Sequence, residues 1–248
     1  SVDFTQDATC ENLCDGQMTI SFSGGTATVI QVDWFEGVLG SGIPFALNGG
    51  LSQTNLCPNT NYYILYTDDE GCTDSIAVPN VSAPPALNYS ETHVDVFCNG
   101  AGNGSINVSL SGGTPGYTYS WSTLDGGPVN PTSQDQSNLS GGTYTVVYTD
   151  ALGCTDSDDI TITEPDPLIT SGVVTNVGCF NQTNGAIDIT PIGGTLPYTF
   201  TWTSSPNGNL VTFNSEDQTG LDSAVYHLNI VDALGCVYDT SFNVTKPG

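Results

Sequence analysis

Hydrophobic and polar residues alternate along several short stretches of the chain. Tyr144, Val146 and Tyr148 occupy every second position of one stretch, and Ile106 and Val108 do so in another. A period of two predicts β-strands that each bury one face. No stretch has a sustained helical period, so the pattern predicts an all-β protein.

The stretch that begins at Tyr144 occurs three times and ends each time in Asp-x2-Gly-Cys. Asp at the first position and Gly at the fourth are typical of a type I turn, so each copy predicts a hairpin with a cysteine at its corner. Successive corner cysteines are 82 residues apart. A fixed period of this length predicts tandem domains. The corner cysteines are Cys72, Cys154 and Cys236.

Each repeat has six or seven short predicted strands, regular turns and one tryptophan. This combination predicts three tandem immunoglobulin-like β-sandwiches, at residues 1–83, 84–166 and 167–248. The first is the most divergent. Trp34, Trp121 and Trp202 hold one recurring position, which we interpret as the core of each sandwich. A sugar-stacking platform is the minor alternative.

Eight cysteines are available to stabilise these small domains. The second and third repeats each contain two cysteines, and the simplest pairing joins them within their own repeat. Alignment of the first repeat with the other two pairs Cys14 with the corner cysteine Cys72. Cys10 and Cys57 are then left to form an extra bridge. The predicted disulfides are Cys10–Cys57, Cys14–Cys72, Cys98–Cys154 and Cys179–Cys236. Paired cysteines at this density indicate an oxidising, extracellular setting.

The charge excludes some partners. The chain has one basic residue and 26 acidic ones, with a formal net charge of −25. Nucleic-acid binding requires a basic footprint, and anionic membranes repel such a chain. No apolar run has the length of a membrane span, and no signal peptide begins the sequence. We therefore expect a mature or excised portion of a secreted, cell-surface protein.

The repeated motifs resemble the SprB-type repeat. The second repeat carries the motif residues Cys98, Gly100, Gly104-Ser105-Ile106, Gly112-Gly113-Thr114, Trp121, Gly142, Tyr144, Asp150, Gly153-Cys154 and Glu164-Pro165. The third carries Cys179, Gly185, Ile187, Gly193-Gly194-Thr195, Pro197-Tyr198, Trp202, Tyr226, Asp232 and Gly235-Cys236, with Lys246 in place of Glu164. The family comprises very large surface adhesins of Bacteroidetes, exported by the type IX secretion system and linked to gliding. The resemblance implies an adhesin or filament role but no ligand.

The sequence contains two kinds of candidate site. Asp68, Asp150 and Asp232 are candidate Ca²⁺ ligands, because calcium prefers oxygen ligands, but we favour the interpretation that each aspartate caps its own turn. No other cofactor is expected. Ser75 and Ser223 lie in Asp-Ser-aliphatic triplets, a pattern that such bacteria use for O-glycosylation.

Two functions remain compatible with the sequence. The first is a rigid, non-catalytic stalk, adhesin or filament segment, whose partners are other copies or neighbouring repeats. The second is a carbohydrate-binding module, which would use the variable loops Trp34–Leu56, Trp121–Leu139 and Trp202–Leu221 to bind surface glycans. We expect no catalytic residues. The two histidines lie in different repeats and are unmatched elsewhere, whereas a Ser-His-Asp group needs a histidine held in a cleft beside a nucleophile.

Overall fold

The alternating segments form β-strands in a computed structural model, as the sequence predicts. The structure describes residues 2–23, 28–180, 182–205, 208–209 and 211–247, with the backbone alone for residues 2–5. Within these ranges every regular element is a strand, and the all-β prediction is confirmed. No helix among the described residues is long and apolar enough to cross a membrane.

The first repeat consists of a three-stranded and a four-stranded sheet, ordered β1-β2-β5 and β4-β3-β6-β7. Their strands are β1 (Val2–Gln6), β2 (Gly16–Ile20), β3 (Val29–Glu36), β4 (Ile43–Ala46), β5 (Ser52–Leu56), β6 (Tyr62–Asp68) and β7 (Thr73–Val78). Trp34 lies opposite Ile64 in the antiparallel pair of β3 and β6. Buried residues of both sheets, including Met18, Trp34 and Ile64, form one core, so the two sheets make a sandwich.

The second repeat consists of two three-stranded sheets, which are ordered β11-β9-β8 and β10-β12-β13. Its strands are β8 (Asn88–Val94), β9 (Gly104–Ser111), β10 (Thr118–Thr123), β11 (Gln136–Leu139), β12 (Gly142–Thr149) and β13 (Thr155–Ile162). Tyr144, Val146 and Tyr148 are all buried, as their alternation predicts.

The third repeat has the sheets β14-β15-β17 and β16-β18-β19. Its strands are β14 (Ile169–Thr175), β15 (Gly185–Ile192), β16 (Thr199–Ser204), β17 (Gln218–Leu221), β18 (Ala224–Val231) and β19 (Val237–Val244). Trp202 lies opposite Leu228, and both belong to a core that also includes Ile187 and Leu221 of the other sheet. The strand order and the two-sided core are those of an immunoglobulin-like sandwich.

The chain divides into two compact units. Unit 1 comprises Ser1–Glu91, Val108–Ser120 and Val146–Asp158, and unit 2 comprises Thr92–Asn107, Trp121–Thr145 and Asp159–Gly248. Unit 1 therefore contains the first repeat with part of the second, and unit 2 contains the rest. The domain boundaries at residues 83 and 166 stay a prediction.

Candidate functional site

The disulfides join successive repeats, and the sequence-based pairing is wrong. The bonds are Cys10–Cys154, Cys14–Cys57 and Cys98–Cys236. None of the predicted pairs Cys10–Cys57, Cys14–Cys72, Cys98–Cys154 and Cys179–Cys236 forms. Cys72 and Cys179 are unpaired and exposed. Two bonds thus connect a cysteine of one repeat to the corner cysteine of the next.

The topology of the third repeat explains why a bond within one repeat does not form. Cys179 precedes β15, whereas the corner of Cys236 lies beside the turn that follows β15, where the Thr195 amide donates to Asp232 (2.8 Å). At roughly 3.3 Å per residue, the eight-residue strand β15 separates these two places by about 25 Å. A disulfide needs Cα atoms within about 7 Å.

Cys10, not Cys14, corresponds to Cys98 and Cys179. Each of these three cysteines stands six residues before the glycine that begins the next strand, which is Gly16, Gly104 or Gly185. We call Cys10, Cys98 and Cys179 the loop cysteines. Cys14 bonds instead to Cys57, which follows β5 of the same repeat.

The corner of the second repeat is shaped by Asp150, which is 4 % exposed. Its Oδ1 accepts the amides of Leu152 and Cys154 (both 2.9 Å), and its Oδ2 accepts the amide of Thr114 (2.8 Å). Burial raises the pKa of Asp150, but the amides of Thr114, Cys154, Leu152 and Gly153 outweigh it and hold the pKa below its usual value. The ionised aspartate therefore fixes Cys154 in the turn.

The Gly-Gly-Thr turn connects this corner to the chain that arrives from the preceding repeat. Gly112 and Gly113 both have positive φ, and the Gly113 amide donates to the Pro85 carbonyl (2.8 Å). A Cβ on Gly112 would lie 1.8 Å from the Ala86 oxygen, so only glycine fits. The corner, the turn and the linker are thereby held together. The corresponding first-repeat turn, Gly24-Gly25-Thr26, lies outside the described residues.

The third repeat contains the same corner. Oδ1 of Asp232 accepts the amides of Leu234 (2.9 Å) and Cys236 (2.8 Å), and Gly194 donates to the Asp166 carbonyl (2.8 Å). In the first repeat, Asp68 accepts the amides of Glu70 (3.0 Å) and Cys72 (2.8 Å). The turn-capping interpretation of all three aspartates is confirmed.

Glu164 holds the loop of Cys98, a role that sequence reasoning missed. Its carboxylate accepts the amides of Gly100 (2.6 Å) and Gly141 (2.8 Å), and these bonds lower the pKa of Glu164. In the third repeat Lys246 replaces this carboxylate, and its ammonium lies 5.0 Å from the centre of the Phe180 ring.

The three tryptophans lie in the cores, so the sugar-stacking alternative at these rings is wrong. Trp34, Trp121 and Trp202 are buried, and each indole donates to a loop carbonyl, that of Gly50, Ser133 or Ser215 respectively. Sugar stacking requires an open ring face.

The structure locates the residues of the remaining candidate sites but does not test their predicted roles. No group of three or more His, Cys, Asp or Glu side chains in the described part of the chain is arranged to hold a metal, and calcium binding stays a hypothesis. Ser75 in β7 and Ser223 just before β18 are half-buried, and each donates its amide to the preceding aspartate (both 2.7 Å). Glycosylation of these serines stays a prediction.

The model of the SprB repeat matches the chain at residues 90–126 and 171–207. These ranges lie in the second and third repeats, where the motif residues are most complete, and they confirm the resemblance there. No curated protein sequence matches the chain.

Solved structures of immunoglobulin-domain proteins are similar to the chain in fold. The N-terminal eight immunoglobulin domains of Down syndrome cell adhesion molecule have 9 % identity and a TM-score of 0.46, with 100 % of this chain and 36 % of that chain covered. The mouse nectin-like molecule 4 ectodomain has 11 % identity and a TM-score of 0.39, with coverages of 98 % and 99 %. This chain thus spans about a third of the first structure. The fold assignment rests on the strand order and cores described above.

Proposed function

We propose that the chain is a non-catalytic segment of an extracellular adhesin or surface filament. In this proposal, three tandem sandwiches, at residues 1–83, 84–166 and 167–248, transmit tension and keep a distal part of the assembly away from the cell. The SprB-type ranges and the cysteine content support an extracellular repeat protein.

The observation that carries the proposal is that the bridges cross from repeat to repeat. Cys10–Cys154 and Cys98–Cys236 close loops with sequence separations of 144 and 138 residues, and each loop contains one cysteine of the other bridge. A force applied to the termini therefore has a short covalent path. It runs from the start of the chain through Cys10–Cys154, back along the chain to Cys98, and through Cys98–Cys236.

This path includes only about 80 of the 248 residues. An oxidised chain that unfolds completely under force is thus limited to about a third of its full contour length. A disulfide within each repeat would limit extension as well, but it would leave the junctions between repeats to non-covalent contacts. Bridges between repeats are suited to a segment that bears tension.

Single-molecule stretching from the two termini tests the proposal. At about 3.5 Å per residue, we expect a final contour length of about 28 nm for the oxidised chain and about 87 nm after reduction. The matched control is the variant Cys14→Ser/Cys57→Ser, whose bridge lies outside the short path and whose oxidised length should be unchanged. Extension to the full length without reductant would contradict the proposal.

Exposed apolar side chains favour a second candidate function, the carbohydrate-binding module. The loop after each tryptophan exposes at least one large apolar residue, for example Leu39, Leu124 and Phe213. Loops held at one end of a sandwich are where recognition usually resides. Reproducible binding to a glycan array, lost when these three residues are replaced by serine, would favour this module.

A further inference from the structure

The two unpaired cysteines are equivalent to the two partners of a disulfide between repeats. Each such bridge joins the loop cysteine of one repeat to the corner cysteine of the next. The corner cysteine Cys72 in the first repeat and the loop cysteine Cys179 in the third have no such partner. One corner cysteine and one loop cysteine therefore remain unpaired.

Cys72 is held in the same turn as the bonded corner cysteines. Its amide donates to Asp68 Oδ1 (2.8 Å) and its carbonyl accepts the Asp68 amide (3.0 Å). In the bonded corners the cysteine amide lies 2.9 Å from Asp150 and 2.8 Å from Asp232, with the return bond at 3.0 Å in both. The backbone at Cys72 already has the conformation of a bonded corner.

Cys179 likewise shares the conformation of the bonded loop cysteines. Its carbonyl accepts the amide three residues later at 3.2 Å, as those of Cys10 (3.2 Å) and Cys98 (2.9 Å) do. The residue before each loop cysteine donates its amide to an aspartate or asparagine side chain. These bonds are Thr9 to Asp15 (2.9 Å), Phe97 to Asn103 (3.1 Å) and Gly178 to Asn184 (3.0 Å).

The unpaired cysteines differ from the bonded ones in exposure. Cys10, Cys98 and Cys154 are half-buried and Cys236 is buried, whereas Cys72 and Cys179 are exposed. Because the local backbone is the same, the difference follows from the presence of an adjacent repeat at each bonded cysteine. The exposed thiols mark the two positions of this kind that no other repeat of the described chain covers.

We propose that Cys179 of one copy of this chain forms a disulfide with Cys72 of a second copy and joins the copies head to tail. This inference rests on the proposed function as a filament segment. A second copy fits because it presents a corner cysteine in the conformation that the loop cysteines bond within the chain. Such a contact uses different surfaces on the two copies and leaves both end cysteines free for further copies, so it generates open chains rather than closed dimers.

The bond forms by thiol–disulfide exchange with a small disulfide such as oxidised glutathione. The Cys179 thiolate attacks one sulfur of the oxidant, forms a mixed disulfide and expels one glutathione thiolate. The Cys72 thiolate of the second copy then attacks the Cys179 sulfur and expels the second thiolate. Two protein thiols become one disulfide, and the oxidant becomes two glutathione molecules that take up the two protons.

Complementary single variants test the pairing. Cys72→Ser retains only Cys179, and Cys179→Ser retains only Cys72. With oxidised glutathione, the unmodified chain should give a ladder of multimers that reductant collapses. Each variant alone should remain monomeric, while an equimolar mixture of a tagged and an untagged variant should give one heterodimer. Because copies with a net charge of −25 repel each other, added salt should accelerate the reaction.

Mass spectrometry identifies the bond. The only basic residue is Lys246, followed by proline, so a glutamate-directed protease replaces trypsin. A linked peptide containing Cys179 and Cys72 is expected.

Dimers of either variant alone, a bond between Cys72 and Cys179 of one chain, or glutathione adducts without multimers would each overturn the inference. Such results leave the contour-length test of the proposed function unaffected, because Cys72 and Cys179 lie outside its short covalent path. The control Cys72→Ser/Cys179→Ser should stay monomeric and melt like the unmodified chain.

Discussion

The two bridges between repeats have nearly the same geometry but different supports. The Cα atoms are 5.7 Å apart in Cys10–Cys154 and 5.5 Å apart in Cys98–Cys236. The corner sulfur lies 3.2 Å from the Thr9 carbonyl oxygen in the first and 3.3 Å from that of Phe97 in the second. The bonded arrangement is thus repeated from one junction to the next.

The supports of the two loop cysteines differ. The loop of Cys10 is closed by the Cys14–Cys57 disulfide and by Asp15, which accepts the amide and the hydroxyl of Thr9. The loop of Cys98 has the neutral Asn103 at the position of Asp15, and its additional support is the Glu164 carboxylate. One bridge geometry is therefore compatible with a covalent support, as at Cys10, or with an ionised one, as at Cys98.

Removal of a bridge between repeats should have the largest effect on stability. In the chain-entropy model, a loop with a separation of 138 residues is worth about 5 kcal/mol, and the 43-residue loop of Cys14–Cys57 about 4 kcal/mol. We expect Cys98→Ser/Cys236→Ser to lower the urea midpoint more than Cys14→Ser/Cys57→Ser, as measured by tryptophan fluorescence. An unchanged midpoint in the first variant would mean that this bridge is absent.

Loss of a corner aspartate should have the next largest effect. Asp150→Ala leaves three part-buried hydrogen bonds without their acceptor, and we expect a loss of about 3 kcal/mol in the free energy of unfolding. Asp232→Ala should cost a similar amount, because its contacts are the same. Asp166→Ala is the control, since this side chain is exposed, and it should change stability by less than about 0.5 kcal/mol. Equal effects of all three variants would refute the role of the corners.

Acid should weaken the support of the Cys98 loop more than the support of the Cys10 loop. Hydrogen bonds lower the pKa of Glu164 in the folded chain, so its stabilisation is complete above the ordinary carboxyl pKa. It is lost as the pH falls through the lowered value. The pKa of Asp15 is also lowered, chiefly by the Thr9 hydroxyl, but the Cys14–Cys57 bond persists in acid.

The variant Glu164→Gln isolates this contribution. We expect it to be less stable than the unmodified chain at pH 7 by about 1–2 kcal/mol, and the difference should shrink towards pH 3. Melting curves across this range measure it. The exposed Glu216→Gln should show no pH-dependent difference. A constant deficit for Glu164→Gln at every pH would mean that its ionisation does not matter.

Calcium should have the smallest effect. The corner aspartates already accept backbone amides, so we expect a chelator to shift the melting temperature by less than about 1 °C. Isothermal titration with Ca²⁺ provides a second measurement. Heat of binding that disappears in Asp150→Ala would replace this expectation with a calcium site at the corner.

Much of the fold and part of the site were predictable from the sequence. The hydroxyl of Tyr144 donates to the Ser140 carbonyl (2.8 Å) and that of Tyr226 to the Asp222 carbonyl (3.1 Å), as a tyrosine corner does. The spacing of Cys10 to Gly16, which matches that of Cys98 to Gly104, was also present in the sequence. It identifies the equivalent cysteines but not their partners.

By itself the sequence determined the strands, the buried tryptophans and the capped corners. Each of these depends on residues close along the chain, through a period of two or a turn of four residues. Only the tertiary structure decided that Cys98 bonds to Cys236 and that Glu164 holds Gly100. The bond depends on which ends of two sandwiches meet, and the Glu164 contact depends on which loops of one sandwich lie side by side. Neither distance in space follows from the distance along the chain.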